Sequence, residues 1–470
     1  MAVNNNNSSR ESFGSRLGFI LVSTGCAVGL GNVWRFPFIT GKYGGAAFVL
    51  MYLFFLVAFA LPILIMEYAV GRGSQKSIAK SFDVLEPEGS KWHVFKWIGL
   101  AGNYLLMMFY TTVAGWMLNY VYKFASGTFT NLDAEAVGGV FGGMLANPGE
   151  MLFWMLVVVV IGMLSTYLGL QNGVERLTKI MMSALFVVLI ALCVRSVTLE
   201  GAGDGLSFYL KPDFGKLFAN GPMGFVEAAT AAMGQAFFTL SLGIGAMAVF
   251  GSYIDKSHGL TGEALRVGVL DTIVALLAGL IIFPACFAFG IQPDSGPGLV
   301  FITLPNVFEQ MLGGRLWGSL FFVFMSFAAL STVVAVFENI MSFTMDQWGT
   351  TRTKAVLVNG LLITVLSLPC LFGFNVLSDL VIPGIGDIQS VEDFLISDNI
   401  LPLGSLVFLL FCVGKNGWGV DKFLAEVDSG DGPKFPRWAL GYARYVLPVL
   451  ILLVVVIQYV PIVQAWMGIA

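Results

Sequence analysis

The segment Gly25-Cys26-Ala27-Val28-Gly29-Leu30-Gly31-Asn32 decides how this chain reads. It lies inside an apolar run, 15–41, long enough to cross a bilayer core, which takes about 20 residues of helix. Three glycines and an asparagine at that depth work against a continuous helix, because glycine lacks the Cβ that restrains the backbone. A second run, 224–254, is interrupted by Phe238-Thr239-Leu240-Ser241-Leu242-Gly243-Ile244-Gly245, where hydroxyls can bond freed backbone groups. Taken singly, either segment also suits close helix packing through small residues. Irregular backbone at membrane depth is tolerated only where it lines a cavity or is buried in protein. Two such breaks at matching places in two halves point to a binding site, with opened carbonyls facing a cation and half-helix N-termini facing an anion.

The rest of the chain agrees with a membrane setting. Hydrophobic residues make up 57% and charged residues 11%, against about 25% charged in a soluble protein. Mean hydropathy is +0.82. Length therefore counts helices rather than soluble domains. Eleven spans are expected, near 15–41, 44–71, 94–125, 150–171, 174–198, 224–254, 262–291, 314–346, 354–373, 393–413 and 440–462. The polar first residues, MAVNNNNSS, lack the layout of a cleavable signal and read as a disordered tail.

Placing the N-terminus inside puts most Lys and Arg on that side, among them Arg10, Arg16, Arg72, Lys76, Lys80, Lys91 and Lys96. The other side keeps Lys42, Lys123, Arg195, Lys211, Lys216 and Arg315. The asymmetry gives a cytoplasmic N-terminus in the cell's inner (plasma) membrane. The organisation expected is a tail over 1–14, one five-helix unit over 15–198, an outer connection over 199–223, a second unit over 224–413, and a loop plus last helix over 414–470.

The net charge of −4 gives no reason to expect nucleic acid. Cys26, Cys193, Cys286, Cys370 and Cys412 fall in apolar runs with no metal spacing, and His93 and His258 are far apart in sequence. The chain has no phosphate loop, H-E-x-x-H or G-x-S-x-G element, so no enzyme chemistry competes and uphill transport would draw on an ion gradient. Ionisable residues at membrane depth cost about 2.5–3.5 kcal/mol on insertion scales and need partners or roles. Arg35, Glu67, Asp271 and Glu338 are the candidates. Glu67 and Glu338 suit structural roles, whereas Asp271 lies too far from polar flanks for a loop residue and suits an ion-linked one.

AVGLGNVW before Arg35-Phe36-Pro37, then Gly44-Gly45 with Ala46-Ala47-Phe48, Glu67 before Gly71-Arg72, and GQAFFTLSLGIGA at Gly234–Ala246 together resemble the neurotransmitter:sodium symporter family, in its bacterial amino-acid carrier branch. The resemblance runs from about Arg10 to the last span. It implies an all-α, LeuT-like fold with two inverted five-helix repeats and alternating access. It further implies sodium ions, two in number, as co-substrates. Ala27, Asn32, Thr239 and Asp271 match the first sodium site; Gly25, Val28, Ala328, Ser331 and Thr332 match the second. Cys26, Ala27, Gly29, Leu30, Gly31, Leu106, Tyr110, Phe238, Thr239, Ser241, Ile244, Thr332 and Val336 match the substrate pocket, with Tyr110 bonding the substrate carboxylate. Arg35 with Asp393 matches the outer gate. Arg10 with Asp346, helped by Phe13 and Tyr253, matches the inner gate.

Three departures from the family's pattern carry information. Gly29 stands where monoamine carriers have an aspartate, which implies a substrate with its own carboxylate. Asp271 replaces an asparagine and Ala275 a serine or acid, beside Tyr52 and Gln235, which match chloride ligands of chloride-dependent relatives. A fixed Asp271 carboxylate would supply that negative charge, so chloride-independent transport is expected. The chain also ends after eleven spans where many relatives have twelve. With no spare charge in the matched pocket and modest walls at Ile244 and Val336, the expected cargo is a neutral amino acid, hydrophobic or aromatic. The competing reading is a non-transporting amino-acid receptor on the same scaffold.

Overall fold

The computed structural model describes residues 11–219, 221–291 and 298–468. Arg10 lies outside the described residues, so the structure does not address its expected pairing with Asp346. Among the described residues there is no strand beyond two isolated bridges, His258 with Asp431 and Ile382 with Gly386.

The membrane-length helices are numbered in chain order: α1 (Arg16–Ala27 with Gly31–Lys42), α2 (Ala46–Ser74), α3 (Trp92–Ser126), α4 (Pro148–Tyr167), α5 (Leu170–Val197), α6 (Gly221–Thr239 with Ala246–Gly251), α7 (Leu260–Ala288), α8 (Gly314–Trp348), α9 (Arg352–Gly373), α10 (Ile388–Val413) and α11 (Trp438–Trp466). Among the described residues nine of these pass as continuous apolar spans, and the bent pair of α1 makes a tenth. The eleventh expected span falls on α6, whose longer half carries Glu227 and Gln235 and whose apolar run is interrupted.

Local chemistry sets the ends. Ser15 caps α1 by accepting from Gly18 N, Asn147 caps α4 by accepting from Glu150 N, and Pro148 follows in the first turn of α4, where a missing N–H costs nothing. Gly349, at φ +61°, closes the 35-residue α8 in the left-handed conformation that glycine adopts without strain. Burial then sorts the helices. The most apolar stretch of α8 is 83% buried, whereas that of α11 is 28% buried. α8 is thus the central helix, packed along α3, α5, α4 and α1, and α11 presents Val449, Leu452, Leu453 and Val456 outward as a lipid-facing helix would.

On the face that carries the tail, three segments are tied by one buried arginine. Arg72, at the end of α2, donates to Glu426 Oε1 and to the His258 carbonyl, each at 2.6 Å, to Ser429 Oγ at 2.7 Å, and to the Glu426 carbonyl. The guanidinium fork satisfies the connections 6–7 and 10–11 at once. The tail itself is held down. Gly14 N donates to Glu175 Oε2 at 2.7 Å, Gln171 Nε2 to the Ser12 carbonyl at 2.8 Å, and Arg352 pairs with Glu11 at 2.8 Å.

Candidate functional site

The breaks in α1 and α6 face each other. In α1, Val28 leaves the helix at ψ 105°, and the halves are bent by 53°. In α6, Ser241, Gly243 and Gly245 all have positive φ. The freed backbone is satisfied by side chains from other helices, as buried polar groups require. Ser241 Oγ donates to the Cys26 carbonyl at 3.0 Å, joining the two breaks. Glu67 Oε1 accepts from Gly243 N at 2.5 Å, which gives that membrane carboxylate its structural partner. Asn103 Nδ2 donates to the Ile244 carbonyl at 3.0 Å. Asn103 carries this task unannounced in the sequence; its only signal is an asparagine within an apolar helix that also carries Asn119.

Two clusters of oxygen form at the breaks. In the first, Asn32 Nδ2 donates to Asp271 Oδ1 at 2.8 Å, and to the Asp271 carbonyl and Thr239 Oγ1, each at 3.1 Å. Thr239 donates to Asp271 Oδ2 at 2.9 Å. Asp271 is fully buried, and among the described residues no Lys or Arg pairs with it. Asn32 Oδ1 in turn accepts from Gly29 N at 3.1 Å. Carboxylate, carbonyl and hydroxyl oxygens of Asp271 and Thr239 gather here around a carboxylate with no cation partner among the described residues, which fits a hard cation. Ala27, buried at the end of the first half of α1, lines the neighbouring cavity.

In the second cluster, Thr332 Oγ1 lies 3.2 Å from the Gly25 carbonyl, 3.3 Å from Val28 O and 3.4 Å from Ala328 O, and Ser331 Oγ donates to Ala328 O at 3.0 Å. A threonine has one O–H to give and three carbonyls compete for it. The surplus of acceptors again suits a cation that takes oxygen ligands.

Between the clusters is a cavity of about 20 Å³ lined by Cys26, Ala27, Gly29, Leu30, Gly31, Leu106, Tyr110, Phe238, Ser241, Ile244, Thr332 and Leu401. Of the expected pocket residues, Thr239 and Val336 are not part of this wall: Thr239 is turned to Asp271, and Val336 is buried elsewhere in α8. Leu401 was not expected; it follows a wide turn in α10 whose register the sequence does not reveal. Tyr110 Oη accepts from Leu30 N at 3.0 Å. A Cβ on Gly29 would meet the Tyr110 hydroxyl and lie 2.7 Å from Thr332 Oγ1, so this position has no room for a side chain. The cavity admits little more than one water, and an amino acid can occupy it only when its walls move apart.

Leu30 and Phe238 also line a larger vestibule of about 340 Å³, together with Trp34, Arg35, Phe38, Phe109 and Asp393. They are therefore the partition between the two spaces. Arg35 lies over the Phe238 ring, 5.0 Å from its centroid. Its ionic partner differs from the one expected. Arg35 pairs with Asp398 at 3.9 Å, while Asp393, on the same vestibule wall, accepts from Ser397 Oγ at 2.6 Å. The wide turn over Phe394–Ile400 is what brings the second aspartate round to Arg35.

At the tail face, Phe13 meets Tyr253 edge-to-face at 5.6 Å, and Asp346 accepts from Ser77 N at 2.8 Å. Tyr253 Oη donates to Glu338 Oε1 at 3.1 Å, and Arg352 pairs with Glu338 at 2.7 Å. Glu338, itself buried, thus has a partly buried arginine partner that the sequence did not point to. Nearby, Asp83, Glu86 and His93 bring possible ligand atoms within 4.8 Å of one another, but Lys96 already stands 3.1 Å from Asp83. Partial burial would raise the Glu86 carboxyl, but hydrogen bonds from Ser90 and His93 outweigh it and hold Glu86 below the usual range.

Comparison with known proteins decides the family. The profile of the sodium:neurotransmitter symporter family matches residues 10–134 and 139–467. The chain belongs to that family. It is 36% identical over 442 residues to an uncharacterised sodium-dependent transporter of Bacillus subtilis, YhdH, covering 94% of this chain and 96% of that one. A sodium-dependent transporter of Haemophilus influenzae is 33% identical, with 96% and 98% covered. Among solved structures, MhsT in complex with L-phenylalanine superposes with a TM-score of 0.85 at 40% identity, covering 95% of this chain and 99% of that one. The symporter accordingly has the LeuT-like fold, is a multi-pass membrane transporter of a sodium-dependent family, and is not an enzyme.

Proposed function

We propose that this symporter carries a neutral, hydrophobic or aromatic amino acid into the cell with two sodium ions, by alternating access and without chloride. The observation that carries the reading is the pair of oxygen clusters flanking one apolar cavity, the first built on Asp271, which has no cation partner among the described residues, and the second on three carbonyls around Thr332. Sodium in these clusters neutralises Asp271 and satisfies the surplus acceptors, so ion binding and closure of the two breaks favour each other. The substrate carboxylate meets the Tyr110 hydroxyl and the N–H groups at the α1 break, and its side chain meets Leu106, Phe238, Ile244 and Leu401. The filled position at Gly29 supports a substrate that brings its own carboxylate. The L-phenylalanine held by MhsT supports an aromatic cargo.

Asp271 holds the negative charge that a chloride ion would otherwise contribute. In this reading residues 15–198 and 224–413 are the two inverted repeats, the tail is cytoplasmic, Leu30 and Phe238 with Arg35 and Asp398 close the outer side, and Arg10, Phe13, Tyr253 and Asp346 close the inner side. The test is equilibrium binding of labelled L-phenylalanine and other neutral amino acids to purified protein. Binding in sodium gluconate that vanishes in potassium gluconate supports the proposal. Binding that needs chloride removes the role given to Asp271, and binding indifferent to sodium removes the coupling.

A further inference from the structure

Outside the transport pathway, one membrane-facing groove has an unusual charge. It runs between α4 and α5 on the tail face, encloses about 400 Å³, and is lined largely by Ile161, Leu164, Leu168, Leu177 and Ile180. Leu164, Leu168 and Ile180 are each more than half exposed, which in a membrane means contact with acyl chains. The groove exists because Gly173 lets the two helices meet through backbone: a Cβ there would strike the Ser165 carbonyl. Its tail-face end carries the Arg176 guanidinium and Asn172.

Among the described residues, several charges near the tail are partnered. Glu175 is taken by Gly14 N, Ser15 Oγ and Lys179, the last at 2.5 Å, and Arg16 and Arg266 are both paired with Glu263. Among the described residues Arg176 forms no ion pair and no side-chain hydrogen bond. A cation at the polar end of an apolar groove complements a molecule with a phosphate at one end and a hydrocarbon chain at the other. Arginine suits the phosphate because its planar fork can donate two parallel hydrogen bonds. Basic pockets between membrane helices hold anionic headgroups by the same chemistry.

We infer that the α4–α5 groove is a binding site for one anionic glycerophospholipid, its phosphate on Arg176 with Asn172 beside it and an acyl chain along Leu164, Leu168 and Ile180. Arg176 directly follows Glu175, which tethers the tail, so an occupied groove also braces the start of α5. This inference is independent of which substrate the central cavity takes.

Native mass spectrometry of the full-length protein, released from nanodiscs of equal parts phosphatidylglycerol and phosphatidylcholine, provides the test. Wild type is expected to retain phosphatidylglycerol over phosphatidylcholine by at least fivefold. R176Q should abolish the preference, L164W should lower retention of both lipids by filling the groove, and K422Q, on an exposed surface helix, should behave as wild type. Soluble glycerol 1-phosphate at millimolar concentration should not compete. Equal retention of the two lipids by wild type, an unchanged preference in R176Q, or full competition by glycerol 1-phosphate would each overturn the assignment.

Discussion

Asn32, from the break in α1, donates its side-chain amide to the Asp271 carboxylate of α7 at 2.8 Å, and the same amide reaches Thr239 of α6. Three helices from both halves of the chain thus converge on one buried carboxylate that has no cation of its own among the described residues.

Replacing Asp271 with asparagine removes that charge and keeps the shape. Sodium-driven uptake in chloride-free medium should fall at least tenfold, and added chloride should restore part of it by supplying a replacement anion. Uptake of the variant measured in gluconate and in chloride checks this. Wild-type rates in gluconate would separate Asp271 from sodium coupling.

Thr332 tests the second cluster. Hydrogen bonds and contacts to charged groups contribute about 1.5–3 kcal/mol, so Thr332→Ala should raise the sodium concentration for half-maximal binding by about tenfold or more. Thr332→Ser keeps the hydroxyl and should recover most of the loss. Sodium titrations of substrate binding read the difference directly.

Gly29→Asp tests substrate class. A Cβ there lies 2.7 Å from Thr332 Oγ1 and against the Tyr110 hydroxyl, so the side chain must displace both and will repel a carboxylate. Binding of neutral amino acids should become undetectable while the protein remains folded and monodisperse in detergent. Retained affinity would show that the substrate carboxylate lies elsewhere.

Much of this was legible in the sequence for identifiable reasons. The two broken helices announce themselves because their glycine and hydroxyl clusters fall at matching places in two halves, which close packing of either helix alone does not explain. Asp271 stands out because an isolated acid in an apolar run has no cheap explanation. Gate partners are harder. The sequence pointed to Asp393, and only the wide turn at Phe394–Ile400 determines that Asp398 faces Arg35 instead. Leu401 and Asn103 stayed hidden for a similar reason, since a leucine or an asparagine in a membrane helix is read correctly only when its neighbours across the bundle are known.

Arg72 lies far from the cavity and tests the scaffold. Arg72→Met leaves Glu426 buried without its main partner, a change that costs about 3–5 kcal/mol. The melting temperature in detergent should fall by several degrees, and Arg72→Met with Glu426→Gln should recover part of the loss. Unchanged melting of the single variant would show that the connection 10–11 does not depend on this tie.

The central claim is that sodium drives amino-acid accumulation through the two clusters. Its most direct test is uptake of labelled L-phenylalanine and a panel of other amino acids into proteoliposomes, with an inward sodium gradient and with potassium in its place. The account predicts accumulation of one or a few neutral amino acids above the external concentration, only with the sodium gradient, and release when a sodium ionophore is added. Sodium-independent filling to equilibrium, or sodium-dependent binding with no uptake across the whole panel, would contradict it.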